Sequence, residues 1–291
     1  MFDKINKVNA IIGYCLDDIK DIFSFYKYER AYSLEKKFTR LRTLCHILDK
    51  GINSTPFERG RGTSIYKEAR LLLNQIDRFK DDRAYIWCKN KIVEYEKLQH
   101  GNSANIIGTV EPFLYSEEER NFIFKFMKSR ISCRNFSSKK IPESIFSDLI
   151  FQAVDAPNGC CRQTVRFYVT QNEDLIHKIS KNISGITCFS EVPCLVLVTS
   201  YSEAYDIIDR KLQFVDASLA VENFVLAARA YNIFTTICNV FHATKDEIHN
   251  ILNLMNVGRN ERLILAIAMG FPNKVPEKPI RMNNDKFLFI R

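Results

Sequence analysis

No stretch of this 291-residue chain stays apolar for the roughly 20 residues that a bilayer crossing needs. The longest apolar runs, 194–198 and 263–269, are of strand length, so no membrane partner is expected. An N-terminal apolar core ahead of a small-residue cleavage site is also missing, which removes a secretory signal from the reading. Dense basic clusters are lacking as well. The formal charge of +8 comes from 42 Lys+Arg against 34 Asp+Glu; residues 1–110 hold 20 basic and 14 acidic side chains, and 111–291 hold 22 and 20. An excess interleaved with acids along helical stretches is a solvated face, and no nucleic-acid partner is expected. No CxxC pair is matched by a second pair or by a nearby HxxxH, so no metal site is expected. Nine cysteines, an odd number in a chain far from small, suit a reducing compartment, read as the cytoplasm. The adjacent Cys160 and Cys161 read as small hydrophobes, because a disulfide between neighbours closes a strained ring. None of the five histidines stands in a pattern with serine and carboxylate, and no catalytic acid–base residue is assigned.

What is present divides the chain in two. Residues 3–100 repeat apolar positions at helical spacing and predict helices over 3–28, 31–50, 64–79 and 82–99, with 51–62 as an irregular connection. The segment 101–113, with Gly101, Asn102, Ser103, Gly108 and Pro112, reads as a linker between an all-helical unit, 1–112, and a second unit, 113–291. Beyond it, Ser116 and Glu119 form a capping box that opens a helix reaching Arg130, and Pro142 starts another over 142–154. Four runs suit strands: 165–170, 193–200, 233–241 and 263–270. Helices are expected between and after them at 173–183, 212–231 and 244–256, the last with a capping box from Thr244 to Glu247. This alternation predicts an α+β layer structure. The helix 212–231 is apolar almost all round, with only Asp216, Ser218, Glu222, Asn223 and Arg229 clearly polar. Such a helix is buried on most faces, and a unit of this size can bury it only with a second subunit, so a homodimer centred on it is expected.

Three segments hold cations and small polar residues suited to an anion and a heterocycle. They are Arg130-Ile131-Ser132-Cys133-Arg134-Asn135-Phe136, Ala156-Pro157-Asn158-Gly159-Cys160-Cys161-Arg162-Gln163, and Gly270-Phe271-Pro272 with Lys278-Pro279-Ile280-Arg281. With Asp216-Ala217-Ser218-Leu219-Ala220-Val221-Glu222-Asn223 between them, their order resembles the nitroreductase family of FMN-dependent NAD(P)H oxidoreductases. The first matches the family's R-S-x-R-x-F type motif and the second its A-P-S-x-x-N-x-Q-P-W-x-F loop. The third matches its G-Y-P and K-P-R-like ending, and the helix its D-x-S-L-A-x-x-N start. The resemblance covers about 120–285.

It implies a nitroreductase-like mixed sheet flanked by helices, a long buried central helix, and one FMN at each end of a dimer interface with both subunits contributing. By motif, Arg130, Lys278 and Arg281 would hold the FMN phosphate and Ser132 would add a hydroxyl. Arg134 would face the flavin pyrimidine edge, and Asn158, Gly159 and Gln163 would lie along the ring. The implied function passes hydride from NAD(P)H through flavin N5 to an electron-accepting small molecule: a nitroaromatic, a quinone or a biosynthetic-cluster substrate. Three departures stand out. Cys161 replaces the loop asparagine, Thr164-Val165 replaces Pro-Trp, and Asn232-Ile233-Phe234 replaces a G-L-G type turn, where side chains are expected to crowd the ring. They keep a second reading open: a nitroreductase-like scaffold with a weakened flavin site, acting as a binding or assembly protein. The helical unit reads as a lid or partner surface, or as a packing extension over the sheet. Its segment 46–52 is similar to extensions of nitroreductase-like proteins from bacterial polysaccharide gene clusters.

Overall fold

The fold was obtained as a computed structural model, which describes residues 2–54, 56–101, 113–183, 185–186, 189 and 191–290. Most of the expected linker, 102–112, lies outside the described residues. Four helices build the first part: α1 (Phe2–Glu29), α2 (Leu34–Ile52), α3 (Thr63–Gln75) and α4 (Arg83–Gln99). Ser33 caps α2 through the Lys36 N–H and Asp82 caps α4 through the Ala84 N–H, placing both helix starts where polar side chains can take up exposed amides. Phe38, Leu41, Leu44, Cys45 and Leu48 of α2 pack with Ala69 of α3 and with Cys88, Ile92 and Tyr95 of α4 in a core of their own. The polysaccharide-cluster segment 46–52 falls at the C-terminal end of α2, where Leu48 and Ile52 belong to that core.

The second part runs α5 (Glu117–Lys128), α6 (Glu143–Val154), β1 (Val165–Thr170), α7 (Glu173–Ser180), β2 (Cys194–Tyr201), α8 (Leu212–Ala230), β3 (Phe234–Cys238), α9 (Lys245–Leu254) and β4 (Glu261–Gly270). Both predicted capping boxes form, at Ser116 with Glu119 and at Thr244 with Glu247. Helix α5 stops at Lys128, and β3 is shorter than expected because Asn239 Oδ1 accepts the Phe241 N–H and turns the chain off the sheet. The sheet order is β1-β2-β4-β3 with every neighbouring pair antiparallel. The one parallel pairing, between Ser132 and Thr235, is an isolated bridge outside the four strands among the described residues.

Strands β2 and β4 are buried on both faces and read as continuous apolar runs for that reason. Leu195, Leu197, Ala266 and Ala268 face α7 and α9, whereas Val196, Val198, Ile267 and Met269 face α6 and α8. A register shift at Val198/Thr199 leaves Ile264 without a partner on β2 and resets that alternation.

Helix α8 buries Ala217, Val221, Phe224, Val225 and Ala228 against the sheet. On its outer side Val215 is 51% and Leu219 40% exposed. The helical part is tied on through Asp21, which pairs with Arg262 at 2.8 Å, and through Ser33, which donates to Glu203 at 2.7 Å. Glu29 also accepts the Ile207 N–H.

Candidate functional site

The loop between α6 and β1 is fixed by buried polar groups. The Gly159 N–H donates to Asp216 Oδ1 at 2.8 Å, and the Tyr205 hydroxyl donates to Asp216 Oδ2 at 2.7 Å. Arg162, almost fully buried, donates to Asp209 at 2.6 Å, to Ala204 O and to Gly159 O. Asn158 Oδ1 accepts the Gln163 N–H at 3.0 Å. A β-carbon at Gly159 would stand 3.3 Å from Arg162 Nη1 and Leu212 Cδ1, so a larger residue there would push those side chains back by a few tenths of an ångström. From α2, Arg42 reaches the same loop, with Nη2 2.6 Å from Arg162 O and Nε 3.4 Å from Cys161 O. Burial pushes the Cys161 thiol up, away from a reactive thiolate.

The first motif lies elsewhere. The Cys133 N–H donates to Thr235 O, Thr236 Oγ1 donates to Cys133 O, and Ser132 bridges Thr235, so 130–136 runs along the free edge of β3. The tail locks onto the same segment, since the Ser137 N–H donates to Phe271 O and the Asn273 N–H to Asn135 O. Lys278 then returns to the end of α5, its ammonium donating to Lys128 O. Arg281 follows three residues on, within about 11 Å by chain length. Arg130, Arg134 and Arg281 have no carboxylate partner among the described residues.

Arg229 at the end of α8 was not foreseen here. Its Nε donates to Ser129 O, its Nη1 donates to Asn232 Oδ1, and its guanidinium lies 4.5 Å over the Phe234 ring. The side chains of Asn232-Ile233-Phe234 point in different directions. Ile233 is drawn into the α8-side core and Phe234 into the opposite one, and Asn232, at φ 56°, turns its side chain to Arg229. Asparagine tolerates this left-handed region.

The eight expected residues thus form two groups. Arg130 and Ser132 lie on the segment that passes the C-terminal end of α8, where Lys278 also returns; Arg134 follows on that segment and Arg281 three residues after Lys278. Asn158, Gly159 and Gln163 sit beside the first turns of α8. Asp216 and Arg229 are 13 positions apart, about 20 Å along the helix, so one chain does not bring the groups together. Arg42, Arg162 and Tyr205 were missed as loop supports. The one signal was Arg42, a cation within the apolar stripe of α2. Among the described residues no helix is long and apolar enough to cross a membrane.

The sequence profile of the Nitroreductase family matches residues 127–187 and 188–271. No curated protein matches the chain. Among solved structures, a nitroreductase-like protein from Streptococcus mutans superposes with a TM-score of 0.53 at 16% identity, covering 59% of this chain and 99% of that one. An FMN-dependent nitroreductase from Clostridium difficile gives 0.50 at 17%, covering 58% and 99%. Those shares leave about two fifths of this chain without a counterpart in either structure. Through residues 127–271 this chain belongs to the nitroreductase family of oxidoreductases.

Proposed function

We propose that the chain is an FMN-dependent oxidoreductase that takes hydride from NAD(P)H and reduces a small electron-accepting molecule. The observation that carries this is the set of cations without carboxylate partners, Arg130, Arg134 and Arg281, in a segment laced to β3 and to a tail that returns Lys278 to the end of α5. Such a donor set fits a phosphate dianion, whose desolvation must be offset by several cations or N–H and O–H donors. Arg130, Lys278 and Arg281 would hold the phosphate, with the Ser132 hydroxyl as a further donor. Arg134 supplies a positive charge for the pyrimidine edge, where it favours the reduced, more negative ring and raises its potential. When bound, FMN supplies the hydride exchange, from NAD(P)H onto N5 and on to the acceptor. Asn158, Gly159 and Gln163 of a second copy supply polar contacts on the other side, so the reading includes a homodimer across α8.

Exposed apolar residues support that dimer. None of the 12 residues of α5 is buried, although it carries Phe122, Phe124 and Met127, and Phe151 and Val154 of α6 are also exposed beside the outer side of α8. The eight described cysteines are free thiols, which agrees with a cytoplasmic setting. The test is optical. Purified protein should show a flavin spectrum that bleaches with NADH or NADPH, and Arg130→Ala should retain about tenfold less FMN, the loss expected for one charge-assisted contact. A colourless protein that takes up no added FMN overturns the proposal and leaves the binding-scaffold reading.

A further inference from the structure

A cavity of about 440 Å³ lies between the N-terminal helices and the loop 156–164. Its lining includes Arg42, 6% exposed, and the half-buried Arg166. Neither guanidinium has a carboxylate partner among the described residues. Two nitrogens of Arg42 are bound to Thr39 and to the Cys161 and Arg162 carbonyls, but Nη1, the third, has no hydrogen-bond partner among the described residues. Arg166 uses one nitrogen, on the Gln163 and Val165 carbonyls. The Arg42 guanidinium lies 4.4 Å over the Phe38 ring, but a buried cation without a paired carboxylate is still costly, and burial lowers the pKa of Arg42.

The acids around the cavity offset it only in part, Asp82 being the carboxylate that favours the charged form of Arg42. Asp216 is bonded to the Gly159 N–H and the Tyr205 hydroxyl, while Glu35 and Asp82 stand exposed at the mouth, where water screens them. Part of the wall is aromatic. Phe79 stacks on Phe38 at 4.5 Å between ring centres, and Phe167 lines the side formed by the sheet.

We infer that this cavity binds a small organic carboxylate with a flat unsaturated body, its carboxylate on Arg42 and Arg166 and its body along Phe79 and Phe167. Asn158 and Gln163 border the same cavity, so such a ligand lies beside the flavin contacts proposed above. Its role as the electron acceptor rests on that flavin reading; its binding does not. The N-terminal helices supply Phe38, Arg42 and Phe79, which gives them a part in selecting the ligand.

The test is calorimetric titration of the full-length protein with 2-naphthoate and with 2-naphthamide, its uncharged counterpart. Naphthoate should bind about tenfold or more tightly than the amide, the expected value of hydrogen bonds to a charged group. Arg166→Gln should remove that preference, with naphthoate affinity falling about tenfold and amide affinity unchanged. Its side chain bonds only neighbouring carbonyls of its own segment, so the variant is expected to fold; Arg42→Gln, which also releases the loop, serves as a second variant. Equal affinity for acid and amide overturns the inference, as does no binding of either at millimolar concentration. Displacement of naphthoate by equimolar inorganic phosphate would mark a free-phosphate site and also overturns it. Naphthoate binding by a protein that takes no FMN would sink the flavin reading alone.

Discussion

Cys160, Cys161 and Gln163 take φ of 54°, 58° and 52°, three left-handed residues in four positions and none of them glycine. Each costs on the order of 1 kcal/mol, which persists only where surrounding groups fix the backbone. Here the fixing groups are Arg42, Arg162, Asp216 and Tyr205, contributed by four different parts of the chain. Sequence motifs exposed Asn158, Gly159 and Gln163 because those residues share one short segment. They could not expose Arg42, whose partner carbonyls lie about 120 residues away. Tyr205 makes the network testable by pH. Burial raises its pKa above the tyrosine value of about 10, and its hydrogen bond to Asp216 acts in the same direction. Its contribution is therefore complete below about pH 10. As pH rises further, the unfolded chain loses this proton before the folded one does, and stability falls. Tyr205→Phe should cost about 1–3 kcal/mol at pH 8, since Asp216 and Thr164 both lose a partner. The gap between wild type and variant should narrow above about pH 10. Urea midpoints at pH 8 and at higher pH check this, and parallel curves would show that Tyr205 is not the group responsible.

The elements were legible where local chemistry decides them. Ser116 and Thr244 could be read as helix starts because the capping box is a contact within four residues, and both boxes form. The end of β3 was less legible, because an Asn239 side-chain bond stops the strand inside an apolar run. The turn after α8 shows how a motif departure can keep a backbone conformation. Asn232 stands at φ 56°, a left-handed position that glycine adopts freely, while accepting from Arg229. The departure thus changes the residue and keeps the backbone. Asn232→Gly should leave stability within about 0.5 kcal/mol of wild type, because freedom gained in the folded turn is offset by the lost side-chain bond and a looser unfolded chain. Asn232→Ala should be about 1 kcal/mol less stable, since a β-carbon without the asparagine amide is strained at positive φ. Equal stabilities for all three proteins in urea would mean that the left-handed turn is not maintained in solution.

At the scale of the whole molecule, order along the sequence and proximity in space part company. The motifs at 130–136, 156–163 and 270–281 suggested one site, yet the loop group lies beside the first turns of α8 and the cation group beyond its last, about 20 Å apart. The family resemblance implies that both subunits contribute to each site, but which group each chain supplies could not be read from the motifs, because nothing in a single sequence distinguishes a contact within a chain from one between chains. A two-fold axis across the exposed Val215 and Leu219 side of α8 would set the first turns of one helix against the last turns of its partner. Each of two equivalent sites would then take its cations from one chain and its loop from the other. This arrangement predicts complementation. A chain with Arg130→Ala and a chain with both Asn158→Ala and Gln163→Ala should each lose flavin as homodimers. Co-expressed and randomly paired, half of the dimers are mixed, and each mixed dimer has one site with both defects and one with neither. Total bound flavin should therefore recover to about a quarter of wild type. Absorbance of the purified mixture measures it, with light scattering to establish the dimer mass. No recovery from a mixture shown to contain mixed dimers would place each complete site within one chain, and a monomer at micromolar concentration would remove the two-fold arrangement altogether.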